Sequence, residues 1–165
     1  MNVLKIFLSI AILQICMVQK SVFTQSIEVQ TDEKYKFLAT YQSDTSRYML
    51  ENFVTTQAFY KQKAVSTLLN KLEAPIKYFS YGPDTDDQKH TTHLTIAAYN
   101  YTQIEKKVNR KIEPALLVIY LTKPIPLAHV DQLMRKNKSS WTKDEVNLFG
   151  NQIIDHIDYL HYKFK

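Results

Sequence analysis

With one cysteine and two glycines among 165 residues, the chain is closed to several families of chemistry. The cysteine, Cys16, lies inside an N-terminal apolar run, so a chain cleaved after that run carries no thiol. A disulfide framework, thiolate catalysis and zinc–thiolate sites are then excluded together. The glycines are Gly82 and Gly150 alone. Phosphate-cradling loops and dinucleotide fingerprints bring backbone against a ligand without an intervening Cβ, and neither can be built here. No Gly-x-Ser-x-Gly elbow occurs either. Scarce glycine also disfavours a turn-rich all-β fold. Stability must come from an ordinary apolar core, and a chain of this length buries enough surface for one domain.

What is present begins with an export signal. Met1 to Lys5 carries one positive charge, and an apolar run follows from Ile6 to Val18, broken only by Ser9 and Gln14. A helix of that length spans roughly 20 Å, short of the roughly 30 Å hydrocarbon core of a bilayer. The run has the length of a signal h-region, and Thr24 and Ser26 supply small residues for cleavage before Ile27. Residues 1–26 are therefore expected to be a cleavable signal peptide, and residues 27–165 a single globular domain without a transmembrane segment. Lipidation of Cys16 is disfavoured because Ile15, not a small residue, precedes it. Cleavage removes Lys5 and Lys20 and no acid, leaving 19 basic and 16 acidic residues, net +3 against +5 for the full chain. That mild charge says little about partners.

The periodicities predict an α+β fold. Residues 32–42 fit strand or helix, with helix favoured by Thr31-Asp32-Glu33. Leu50, Val54, Ala58, Val65, Leu69 and Leu72 recur at helical spacing and predict one long helix over about 46–73, stopped by Pro75. Residues 76–81 and 91–99 read as strands of a hairpin, turned at Gly82-Pro83-Asp84. A short basic helix is expected within 101–111. Residues 115–122 (ALLVIYLT) read as a strand buried on both faces, hence central, ended by Lys123-Pro124-Ile125-Pro126. A helix follows at about 127–136. Thr142 and Glu145 form a capping box for a last amphipathic helix with Val146, Phe149, Ile153, Ile157, Leu160 and Phe164 on one face. The expected architecture is a small sheet of about three strands, a hairpin plus one central strand, packed by the long helix and the C-terminal helix.

Candidate sites are few. Asp84, Asp86 and Asp87 lie in one loop, but the central glycine and the bidentate glutamate of a calcium loop are missing, so a solvated turn is expected. His90 and His93 are weak catalytic candidates; strand residues three apart point to opposite faces, so they converge only if His90 stays in the loop. On the expected last helix, His156 and His161 fall on opposite sides of the apolar stripe and cannot share a metal, while Asp158 and His161 could pair. No metal or other cofactor is expected. Two basic clusters stand out: Lys106, Lys107, Arg110 and Lys111, and Arg135, Lys136, Lys138 and Lys143 around the only tryptophan, Trp141. Cations around an aromatic can hold an anionic glycan, a lipid surface or a protein; equally, lysines near a helix C-terminus suit its dipole and Trp141 can be a hydrophobic staple. Nucleic acid is not an expected partner of an exported protein. Of the eleven tyrosines, Tyr78, Tyr81, Tyr99, Tyr101 and Tyr120 fall on or near the strands, where tyrosine serves both packing and interfaces. Asn100-Tyr101-Thr102 and Asn137-Lys138-Ser139 match the glycosylation pattern, which matters only in a eukaryote.

These residues favour an exported, non-catalytic binding or accessory protein of the cell envelope or extracellular space, ligand unspecified. The alternatives are a small secreted hydrolase or sugar-acting enzyme using the loop at 82–93, with His90, His93, Asp84 and Asp86, and a secreted inhibitor or toxin presenting that same loop.

Overall fold

Leu116 to Pro126, built on the most apolar stretch of the described chain, lies inside a four-stranded antiparallel sheet. The computed structural model describes residues 34–83 and 86–164. The leader expected at 1–26, with Cys16, and Asp84 of the acidic loop lie outside the described residues. Among those described, the sheet runs β1 (Tyr78–Ser80), β2 (His90–Ala97), β3 (Leu116–Pro126) and β4 (Ile154–Tyr159), in sequence order, each antiparallel to the next. The helices are α1 (Thr45–Met49), α2 (Gln57–Tyr60), α3 (Val65–Leu69), α4 (Tyr101–Asn109), α5 (Leu127–Lys136) and α6 (Lys143–Gly150). The fold is thus mixed α and β. None of these helices is long and apolar enough to cross a membrane.

The hairpin and the central strand form where the residue pattern puts them: Phe79 pairs with Ile96, and Leu94 with Ile119. Leu117 and Ile119 are completely buried on one face of β3, and Leu116 and Val118 nearly so on the other, which matches a strand apolar on both sides. Three features differ from expectation. First, β3 does not stop at Thr122. It passes through an irregularity, from Tyr120 opposite His93 to Ile125 opposite Thr91, and runs on to Pro126. Pro124 and Pro126 are tolerated because β4 pairs only as far as Leu121, leaving them at an edge.

Second, the stretch 46–73 is helical in pieces rather than one rod. Asp44 caps α1 by accepting from the Arg47 N–H. A π-helical turn spans Leu50–Val54. The Thr56 hydroxyl then bonds back to the Asn52 carbonyl, a contact that bends helices. At Gln62 the backbone turns left-handed (φ 61°), and Gln62 N–H and Val65 N–H donate to Ile154 O and Gln152 O at 2.8 Å each. Pairing with the chain entering β4 has replaced the helix there. Residues 32–42, where a helix was favoured, contain only a single 3₁₀ turn at Leu38–Tyr41 among those described.

Third, the expected last helix ends at Gly150, and Ile154–Tyr159 is the fourth strand. An open edge of β3 imposes this, since its N–H and C=O groups need partners once buried. Ile157 opposite Ile119 and Tyr159 opposite Leu117 complete the core face.

The principal core lies between that face (Phe79, Leu94, Ile96, Leu117, Ile119, Ile157) and the N-terminal helical segments with α6, which contribute Tyr48, Phe53, Tyr60, Leu68 and Phe149. The opposite face is covered at one end by α4. Its capping box (Asn100 and Gln103) starts the helix, and Ile104 and Val108, four apart, pack on Ala97, Leu116 and Tyr78.

Candidate functional site

Beyond α4, that second face carries a row of rings across three strands. The His93 ring lies 6.0 Å from Tyr120, and Tyr120 stacks on His156 at 4.1 Å with planes 10° apart. Register produces the row: Tyr120 is opposite His93 on one side and His156 on the other. Asp155 Oδ2 stands 2.7 Å from His156 Nδ1, which orients that imidazole. Gly82 lies over His93; a Cβ there would sit 3.9 Å from the ring. His90 does not join the row. Its Nδ1 is held by Asp87 Oδ2 at 2.5 Å, and Asp87 also accepts from the Lys89 N–H. These two bonds, the backbone one foremost, keep the Asp87 carboxyl below the usual range. Asp86 is exposed. His161 lies beyond the end of β4, against Tyr159 and 3.9 Å from Glu113. Asp158, in the strand rather than on a helix, donates no support to it; its Oδ1 accepts from the Tyr159 N–H. Among the described residues, no three His, Cys, Asp or Glu side chains converge as metal ligands.

The basic cluster around Trp141 is divided by the structure. Trp141 turns inward, edge-on to Phe79 at 5.3 Å and stacked with Phe149 at 6.1 Å, so its ring joins the core rather than a surface. Lys136 Nζ is paired with Asp144 Oδ2 at 2.7 Å, which raises the lysine and lowers the carboxyl. Arg135, Lys138 and Lys143 are exposed and in no ion pair among the described residues. In the other cluster, Lys107 Nζ sits 4.3 Å from the Tyr99 ring centre and Lys106 and Arg110 are exposed. Asn137 is occupied: its Nδ2 donates to Glu145 Oε1 (2.9 Å) and Thr142 Oγ1 (3.1 Å). Asn100 is exposed and uses only Oδ1, as acceptor from Gln103 N–H, in its cap.

A concavity follows β1. A groove of about 500 Å³ runs along Lys77 to Tyr81, five consecutive residues, with Tyr101 of α4 on one side and Met134 of α5 and Ser139 on the other. Tyr78 and Tyr101 face each other, ring centres 6.3 Å apart, and Tyr101 is 60% exposed. The Tyr81 hydroxyl donates to Asp131 Oδ1 at 2.6 Å; burial and that bond push the phenol up to about 12. Tyr81 is therefore a fixed, neutral wall. Three of the five tyrosines noted in the sequence meet here. Lys77, Met134 and Ser139 carried no local signal; only the packing of α5 beside the sheet edge brings Met134 and Ser139 to β1.

No family model matches the chain, and neither the curated proteins nor the solved structures gave a significant match.

Proposed function

We propose that the chain is an exported, non-catalytic binding protein of the cell envelope or extracellular space, and that it engages a protein partner through the groove along β1. The observation that carries this reading is the groove itself: about 500 Å³, lined by Tyr78, Tyr81, Tyr101 and Met134. Tyrosine suits such a surface because it offers large apolar area with a polar tip at low entropic cost. Methionine adapts to irregular partners. Export rests on the apolar run and small residues before Ile27.

Affinity capture of a C-terminally tagged copy from its native cells, with intact-mass analysis, tests both parts. The bait should have the mass of a chain starting near Ile27. A partner should elute near stoichiometrically, be lost with Tyr101→Ala, and be kept with Leu50→Ala, an exposed apolar residue outside the groove. A partner indifferent to Tyr101→Ala removes the groove from the proposal. Bait that elutes alone, yet turns over an ester or glycoside substrate, replaces the proposal with the hydrolase.

A further inference from the structure

β1 pairs with β2 and, among the described residues, with no strand on its other side. In an antiparallel ladder, alternate residues aim their N–H and C=O groups away from the partner strand. An edge strand therefore offers a row of unpaired main-chain groups that templates another strand. Proteins commonly block such an edge with a helix or loop. Here the neighbours along it, Tyr101 on one side and Met134 and Ser139 on the other, flank the edge and leave a groove between them. Both walls are fixed: Tyr101 opens α4 directly after its N-cap Asn100, and Tyr81 is tied to Asp131 of α5.

Along this groove cations outnumber acids. Lys77 lines it, and Arg135 and Lys138, next in sequence to Met134 and Ser139, are exposed and in no ion pair among the described residues. The two acids at its walls, Asp131 and Glu105, are hydrogen-bonded to Tyr81 and Tyr101.

Resting on the groove reading above, the geometry points to strand addition: the free edge of β1 takes an extended, acidic segment of the partner polypeptide as a fifth strand. Main-chain bonds to β1 supply affinity; alternate side chains pack between Tyr101 and Met134, and the acidic ones meet Lys77 and Arg135. Because β1 has three residues, the added strand is short, and the tyrosine walls must provide much of the binding.

The test is selection from a displayed random octapeptide library against the protein, with counter-selection on Tyr101→Ala. Selected peptides should carry net negative charge. N-methylation of alternate amides should weaken each by about tenfold or more, as loss of one or two main-chain hydrogen bonds requires. Peptide binding should also slow hydrogen exchange at Tyr78–Ser80, a readout that needs no variant to fold. Peptides that are neutral or basic overturn the charge assignment. Peptides that bind in a Tyr101-dependent way, but tolerate N-methylation and leave β1 exchange unchanged, overturn strand addition while the groove remains the site. A library that yields no Tyr101-dependent peptide, alongside a captured partner that Tyr101→Ala does release, also overturns strand addition alone. If neither peptide nor partner responds to Tyr101→Ala, both proposals fall.

Discussion

Glu145 holds the turn that carries one wall of the groove, and Glu145→Gln measures how much. The side chain has no solvent exposure. Its Oε2 accepts from the Thr142 N–H at 2.7 Å and the Thr142 hydroxyl at 2.6 Å, and its Oε1 from Asn137 Nδ2 at 2.9 Å. Burial alone would raise the carboxyl, but the bonds from Thr142 and Asn137 outweigh it and hold it below its ordinary value of 4.5. Glutamine keeps the shape, removes the charge from these bonds and sets an NH₂ donor against donors at one oxygen's place. Bonds to a charged group are worth about 1.5–3 kcal/mol against 0.5–1.5 for neutral ones, and an unmet buried donor costs about 1–3. The expected loss is about 2–3 kcal/mol, or roughly 10 °C in Tm for a domain of this size.

The pH dependence has a definite sign. A carboxyl whose folded pKa lies below its unfolded one stabilises fully above the unfolded value, and that contribution vanishes as pH falls through the folded value. The Tm gap between wild type and Glu145→Gln should thus be constant from pH 6 to 8 and shrink below 4.5. Thermal unfolding followed by circular dichroism across that range is the assay. Equal Tm values at pH 7, or a gap indifferent to acid, would show that the Glu145 charge does not hold this turn. The same variant should weaken groove binding, because Asn137 anchors a turn in which Lys138 and Ser139 are both left-handed and Ser139 N–H returns to Met134 O at 2.9 Å.

Leu117→Ala, at a fully buried position on the core face of β3, should cost about 2–5 kcal/mol in a urea titration; a loss under 1 would mean that the sheet's core is not where we place it. Tyr101→Ala should move stability by less than about 0.5 kcal/mol, since the ring is largely exposed, and a larger drop would recast it as a structural residue.

Local patterns made the hairpin, the central strand, α5, and the capping box of α6 legible: each is set by residues within a few positions of one another. Thr142 with Glu145 caps α6 as its spacing requires; the second box, Asn100 with Gln103, reads in the sequence only as part of a glycosylation pattern. The groove was legible only as tyrosines near strands. Its other wall comes from Met134, more than fifty residues from Tyr78 in sequence, and nothing local connects them. The basic cluster misdirects for a related reason. Its charges are real, but Trp141 at its centre finds Phe79 across the fold, and Asp144 takes Lys136. The long helix over 46–73 breaks where its backbone meets residues 152–154, a contact some ninety positions away.

The C-terminal strand is the sharpest case. Ile154 and Ile157, three apart, are both buried, a spacing that fits a helix and ordinarily rules out a strand. The sheet accommodates it with a bulge: Tyr120 is opposite His156, yet Leu121 is opposite Ile154, so Asp155 is the extra residue and both isoleucines reach the core. If pairing with β3 selects the strand, the isolated segment should not keep it. A peptide of residues 142–164 in trifluoroethanol should be helical past Gly150 and through Ile157, by Cα chemical shifts, because its capping box and apolar spacing then act without competition. Extended shifts at 154–159 in that peptide would place the strand preference in the segment itself. Helical shifts would leave β3, with Leu117 and Ile119 in need of cover and an edge in need of partners, as the element that converts a helical sequence into a strand.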